Sequence, residues 1–265
     1  MFDVKIGIIG LGFVGQAIKD NCDSLIPLCL LDVDNDKGTT GTYDELQSCD
    51  GIFVCVPSPS LEDGSCDTSI LETVLSNLTN FRGVIISKTT APPDVYKKLQ
   101  SKYPNLVHCP EFLTSKNSSE DYAKQSSVII GGEVNAYKRE AYRLIALTKP
   151  KINVYYCSIE EAAMAKYIIN CFLATKVVFM NEMFSLTDKA GLDWKRIKFL
   201  IDSEPRLGTS HTQVPGYDGY FGFGGICFPK DTTALLHYAK SLNVNLNILK
   251  EAVQKNTLLR LHEPK

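Results

Sequence analysis

Over the first 156 residues, short apolar runs alternate with longer stretches of helical periodicity. The runs KIGIIG, LCLLDV, GIFVCV, GVIISK, NLVHC, SVIIGG and INVYYC read as strands, and the helix-length segments between them as crossovers. Strands so connected pair mostly in parallel and are covered on both faces, which is why each run is apolar throughout. The pattern predicts an α/β fold with a Rossmann-like, doubly wound sheet over residues 1–156.

After Cys157 a helical period takes over. Ser158 and Glu161 make a capping-box pattern, and the apolar stripe then runs past Lys166, Asn170 and Met180 to a stop at Gly191, a helix of about 30 residues. Further helices are expected over 192–202, 229–240 and 246–259, with a loop rich in Gly, Pro and Tyr over 205–225. Residues 157–265 thus read as an all-helical domain entered through one long connecting helix, with no low-complexity linker before it.

Composition removes several functions. A chain of 265 residues that is 44% hydrophobic can bury a sizeable core. Its formal charge of −2 offers no basic surplus for a polyphosphate backbone, so no nucleic-acid partner is expected. No stretch is read as reaching the roughly 18 apolar residues of a membrane span. Met1 leads into a strand pattern without a basic leader, so a cytoplasmic protein without a membrane partner is expected. The nine cysteines include no CxxC pair and no adjacent histidine cluster, and they read as free thiols, with no metal site.

Two segments carry chemistry. The first is the turn from Gly10 through Gly12, Phe13 and Val14 to Gly15, directly after the first strand and opening a helix. A tight turn, a close backbone approach to a pyrophosphate and close helix packing each require a missing side chain. Asp32 ends the second run about 20 residues on, where a carboxylate accepts from ribose hydroxyls, favouring NAD over NADP. Val56 and Pro57, in VCVPSPS, are expected on the nicotinamide side. The second segment is GFGGICFPKD, 222–231, where Cys227 precedes Pro229 at the start of a helix. The positive end of a helix dipole favours a thiolate there, while Gly224 and Gly225 let the backbone bend around a ligand.

GFGGICFPKD resembles the signature of the UDP-glucose and GDP-mannose dehydrogenase family, and the similarity extends along nearly the whole chain. SKTTAPP is similar to the family's Ser/Thr-rich strand end, CPEFL to its PEFL motif, and EEAAMAKYIINCFLATKVVFMNE to its central helix. The resemblance implies oxidation of a nucleotide sugar's primary alcohol to a carboxylate with two NAD, UDP-glucose being favoured, through a thiohemiacetal and a thioester on Cys227. It places Lys166 and Asn170 at a developing oxyanion, Glu111 at thioester hydrolysis, and Thr90 and Asp231 beside the reacting groups. It also places Phe112, Leu113, Tyr217, Phe221, Phe223, Gly224 and Gly225 at the UDP-sugar substrate, and Arg206 toward a neighbouring subunit's sugar. The long helix would supply a homodimer face.

The chain departs from that pattern in two places. Ser115 stands where many members have a second glutamate, which implies a different arrangement for activating water. Family chains also continue into a further α/β domain, whereas this one stops at Lys265, as a compact form or a fragment would. Two other readings remain at this point: a two-electron β-hydroxyacid-type dehydrogenase, which would need no cysteine, and a non-catalytic nucleotide-binding partner.

Overall fold

The computed structural model describes residues 4–114, 116–149 and 152–261. Seven strands form one sheet: β1 (Ile6–Ile9), β2 (Leu28–Leu31), β3 (Gly51–Val54), β4 (Val84–Ser87), β5 (Leu106–His108), β6 (Ser127–Gly131) and β7 (Asn153–Cys157). Their order is β2-β1-β3-β4-β5-β6-β7, parallel throughout except where β6 runs against β5. The helices on this sheet are α1 (Phe13–Asp20), α2 (Tyr43–Leu46), α3 (Ser69–Asn77), α4 (Pro93–Lys102), α5 (Ser118–Lys124) and α6 (Asn135–Thr148).

Successive strand side chains point to opposite faces, and over the central strands both faces are apolar and buried. Ile52, Val54, Ile85 and Leu106 join one apolar cluster with Leu71, Leu75 and Tyr96. Phe53, Val84, Ile86 and Val107 join the other with Ile18, Leu144 and Ile145. Burial on both sides explains the uninterrupted apolar runs of the central strands, and the sheet is the predicted α/β, Rossmann-like one; the edge strand β7 is largely exposed.

The helical region begins as its pattern predicts. Ser158 Oγ accepts from Glu161 N at 3.2 Å while the Glu161 carboxylate accepts from Ser158 N at 2.8 Å, and this box starts α7 (Ile159–Lys189). Gly191, at φ +70°, follows its end. Three helices come after it: α8 (Trp194–Asp202), α9 (Cys227–Ser241) and α10 (Asn247–Leu259). α9 starts two residues before Pro229, so Cys227 is itself its first residue.

The chain divides into two compact units. One holds the described residues up to Pro59 together with Cys66–Lys166; the other holds Ser60–Ser65 and the described residues from Tyr167 onward. In the second unit, Phe223 packs with Ala174, Val178 and Ala252, and Trp194 with Met180 and Val214. The reading that no stretch reaches membrane-span length needs correction. α7 is long and apolar enough by composition, with a mean hydropathy of 1.4 over 18 residues, although half of that stretch is buried inside the protein.

His108 on β5 makes the fold sensitive to acid. Its ring stacks on Tyr96 at 4.2 Å and donates from Nδ1 to Ser87 O at 3.1 Å, while the buried Nε2 meets no partner among the described residues. Burial, with Lys88 and Lys166 nearby, holds its pKa down to about 3. The unfolded chain therefore takes up a proton near pH 6.5 that the native state refuses, and stability falls as pH drops from about 6.5 toward 3. The contribution is at most about 1.4 kcal/mol per pH unit. Thermal melts between pH 4 and 7 should show a shallower acid slope for His108→Gln than for the native protein.

Candidate active site

The glycine turn divides its work among three positions. Gly10 has φ +89°, and a Cβ there would lie 2.6 Å from the carbonyl oxygen of Cys55. A Cβ at Gly15 would collide with the Gly10 carbonyl. Gly12 meets nothing within 4 Å, so its missing side chain serves an approach from outside, at the N-cap of α1. That is the arrangement in which exposed amide donors and the helix dipole receive a pyrophosphate. Phe13, largely exposed, and Val14 open the first turn of the helix.

Asp32 follows β2 and closes this turn. Leu11 N donates to its Oδ2 at 2.6 Å, Asp34 N donates to Oδ1 at 2.9 Å, and Lys37 Nζ lies at 3.4 Å. Burial pushes the carboxyl up, but these two N–H groups and the Lys37 ammonium outweigh it and hold it below the ordinary carboxylate value. Val56 and Pro57 follow β3 and are tied to the loop after β4: Thr89 Oγ1 donates to Val56 O at 2.8 Å, and Ser58 Oγ donates to Thr90 O at 2.6 Å. These groups lie at the carboxyl ends of parallel strands, where open α/β sheets bind ligands. The residues present fit a dinucleotide.

The same edge carries Glu111, beyond β5 and buried, with Phe112 and Leu113 partly covered beside it. Phe112 N donates to Oε1 at 3.0 Å and Lys88 Nζ to Oε2 at 3.1 Å. Lys166 Nζ donates to the Glu111 carbonyl oxygen and stands 4.7 Å from the centre of the Phe112 ring. Sequence reasoning missed Lys88. Its signal is a charge at the end of an otherwise apolar strand, in SKTTAPP, where a lysine reads as solvated.

In the second unit, Asn170 Nδ2 donates to Asp231 Oδ2 at 2.5 Å and Lys230 Nζ to Oδ1 at 2.6 Å. Asp231 lies in the second turn of α9 and is buried, so it is not a solvated first-turn acid. Cys227 is exposed, in contrast to the other eight cysteines. Lys166 and Asn170 fall one turn apart on α7.

The loop before Cys227 is held by the protein itself. Asn181 Oδ1 accepts from Gly222 N at 3.0 Å, and Asn256 bonds both the N–H and the carbonyl of Phe223, at 2.6 and 2.9 Å. A Cβ at Gly224 would press on the Arg260 guanidinium at 2.7 Å, while Gly225 takes φ +73° with nothing near. Phe223 is turned into the core, and Phe221 sits 5.5 Å from the Phe184 ring. Tyr217 is almost fully exposed. Arg206 is also exposed and reaches Glu204 at 2.8 Å. Ser115 lies outside the described residues.

A parallel sheet with this glycine turn and terminal acid defines a Rossmann-type dinucleotide-binding protein. The chain belongs to the UDP-glucose/GDP-mannose dehydrogenase family: residues 28–147 match its NAD binding domain and residues 160–258 its central domain. A UDP-glucose 6-dehydrogenase of Rickettsia bellii is 31% identical over 231 residues, 83% of this chain and 52% of that protein. The chain spans about half the length of the curated relatives it matches. A UDP-glucose dehydrogenase of Pyrobaculum islandicum is similar in structure with TM-score 0.82 at 23% identity, covering 96% of this chain and 68% of the other. A 3-hydroxyisobutyrate dehydrogenase of Mycobacterium tuberculosis has TM-score 0.76 at 15% identity, covering 98% and 94%. At these identities the two structures speak for the fold.

The glycine geometry yields a paired expectation. Gly15→Ala should destabilise the fold by about 2 kcal/mol or more, because the new methyl strikes backbone. Gly12→Ala should cost less, about 1 kcal/mol, because alanine is a poorer N-cap than glycine, while weakening NAD at least about tenfold, or roughly 1.4 kcal/mol. Melting curves and calorimetric titration with NAD separate the two effects.

Proposed function

We propose that this chain catalyses the NAD-dependent, four-electron oxidation of a nucleotide sugar, UDP-glucose to UDP-glucuronate, with Cys227 as the covalent nucleophile. The observation that carries the reading is the exposed thiol at the first position of α9, one turn before the buried Asp231–Asn170 pair. Bound NAD supplies the hydride acceptor for both oxidations.

The first oxidation removes a hydride and a proton from the primary alcohol and leaves an aldehyde. The Cys227 thiol adds to that carbonyl carbon, forming a C–S bond and a thiohemiacetal; loss of a second hydride and a proton gives the thioester. Water then attacks the same carbon, the C–S bond breaks, and the acid leaves with the thiol restored. Lys166 and Asn170 donate to the oxygen that bears charge in these steps. Glu111 takes the proton of the attacking water, while Thr90 and Asp231 orient the reacting groups. Val56 and Pro57 line the nicotinamide side, and Tyr217, Phe221 and Arg206, all exposed, meet sugar or nucleotide.

Domain bounds of 1–156 and 157–265 follow the change from strand to helix periodicity after Cys157. A homodimer is supported by Ile168, Phe172, Phe179 and Leu186, which are all exposed and lie within about 40° of one another around α7. Sedimentation should report a dimer that Phe172→Asp together with Phe179→Asp turns into monomer. Nine free cysteines suit a reducing cytoplasm.

Limiting UDP-glucose should yield about two NADH per sugar and a uronate product. Cys227→Ser should make no acid while NAD affinity stays within about twofold, since sulfur is needed only for the covalent step. One NADH per sugar from the native chain, with no acid, would instead favour a two-electron dehydrogenase of the kind whose fold it shares.

A further inference from the structure

Glu111 has a side chain that is 3% exposed, in surroundings where a solitary carboxyl group would keep its proton. The group that touches it is equally withdrawn: Lys88 is 1% exposed at the side chain. Lys88 directly follows β4, its backbone N–H donating to Val54 O at 2.8 Å. Its ammonium reaches two acceptors, Glu111 Oε2 at 3.1 Å and Cys109 Sγ at 3.2 Å. Two contacts from one rigid strand end fix the ammonium, and Phe112 N fixes the other carboxylate oxygen.

We propose that Lys88 is a positioning residue that keeps the Glu111 carboxylate charged and aimed, so that it accepts a proton from the water that releases the acid product. The inference rests on the reading of Glu111 as the hydrolytic base. Each carboxylate oxygen keeps a lone pair beyond the one bonded by Lys88 or Phe112, and that lone pair is what meets water. Lys88 itself exchanges no proton in the step.

Other titratable groups surround the pair. Lys149 acts on Glu111 from beyond α6, Tyr122 from α5 and Cys55 from beyond β3, while Cys109 lies on the same segment and Lys166 on α7 holds the Glu111 carbonyl. Burial pushes the Glu111 carboxyl up, but Lys88 first, then Lys149 and the Phe112 N–H, bring it below the ordinary value. Burial likewise works against the Lys88 charge, and Cys109 and Glu111 more than offset it. Lys149 is held down to about 8 by its own burial, so its charge fades at alkaline pH while that of Lys88 persists. Lys88 is the cation bonded to the Glu111 carboxylate, and Lys149 adds to its effect below about pH 8.

The test reads Glu111 directly in the full chain, independently of turnover. Protein labelled with 13C at glutamate carboxyl carbons is titrated by NMR, with Glu111→Gln assigning the signal. In the native chain Glu111 should stay ionised from pH 5 to 9. In Lys88→Met its titration should move up by about two pH units or more, and in Lys88→Arg it should stay near the native position. Lys88→Gln, which keeps an N–H donor without the charge, replaces the methionine variant if that one does not fold. An unshifted Glu111 titration in the neutral variant overturns the proposal even if the chain proves to be a dehydrogenase. With UDP-glucose and NAD, the acid limb of uronate formation should shift to higher pH in the same variant while the first NADH burst persists. A uniform loss at every pH would mark Lys88 as merely structural and would also overturn the proposal. If the native chain yields no NADH from any nucleotide sugar, the functional reading fails while the titration still decides the role of Lys88.

Discussion

The first unit is governed by a sheet whose central strands are buried on both faces. Almost nothing polar is tolerated along those strands, so polar chemistry is displaced to where they end. The register makes those ends coincide: Ile9 lies beside Leu31 and Val54, Val54 beside Ser87, and Ser87 beside His108. The residues that follow are Gly10, Asp32, Val56, Lys88 and Glu111. The glycine turn, Asp32 and a buried ion pair thus share one edge because the apolar runs end together.

The second unit solves a different problem, the placement of an exposed thiol where a long glycine-containing loop meets a helix. Helix side chains hold that loop in place of regular backbone pairing. Lys176 on α7 donates to the carbonyls of Leu207, Gly208 and Ser210 at 2.8, 3.0 and 2.6 Å. Asn181, Asn256 and Arg260 take the residues nearer Cys227. The ordering entropy of such a loop is met once, on folding, which leaves less to lose when a ligand arrives.

Properties that depend on periodicity or local chemistry could be read from the chain. The strand runs, the Ser158–Glu161 box and the stop at Gly191 all follow from local pattern and sterics. Properties that depend on distant partners could not. Lys88 looks like a solvated strand end until β5 brings Cys109 and Glu111 to it, and Gly224 looks like a ligand-facing glycine until α10 places Arg260 against it. Phe223 sits in a polar-looking loop, yet Asn256 turns its backbone and sends the ring into the core. The early start of α9 was hidden by Pro229, which reads as a first helical residue but stands third. Segment 60–65 joins the second unit, as Asp63 near His237 illustrates, and no local pattern announces that.

The central claim is that Cys227 carries the substrate covalently between oxidation and hydrolysis. The most direct measurement is mass spectrometry of the full chain mixed with UDP-glucose and excess NAD, quenched in acid within the first turnover and digested. The account predicts a peptide containing Cys227 that has gained the mass of the sugar-nucleotide acyl group, and that loses it to hydroxylamine. An unmodified Cys227 peptide, recovered while NADH and uronate accumulate, would contradict it.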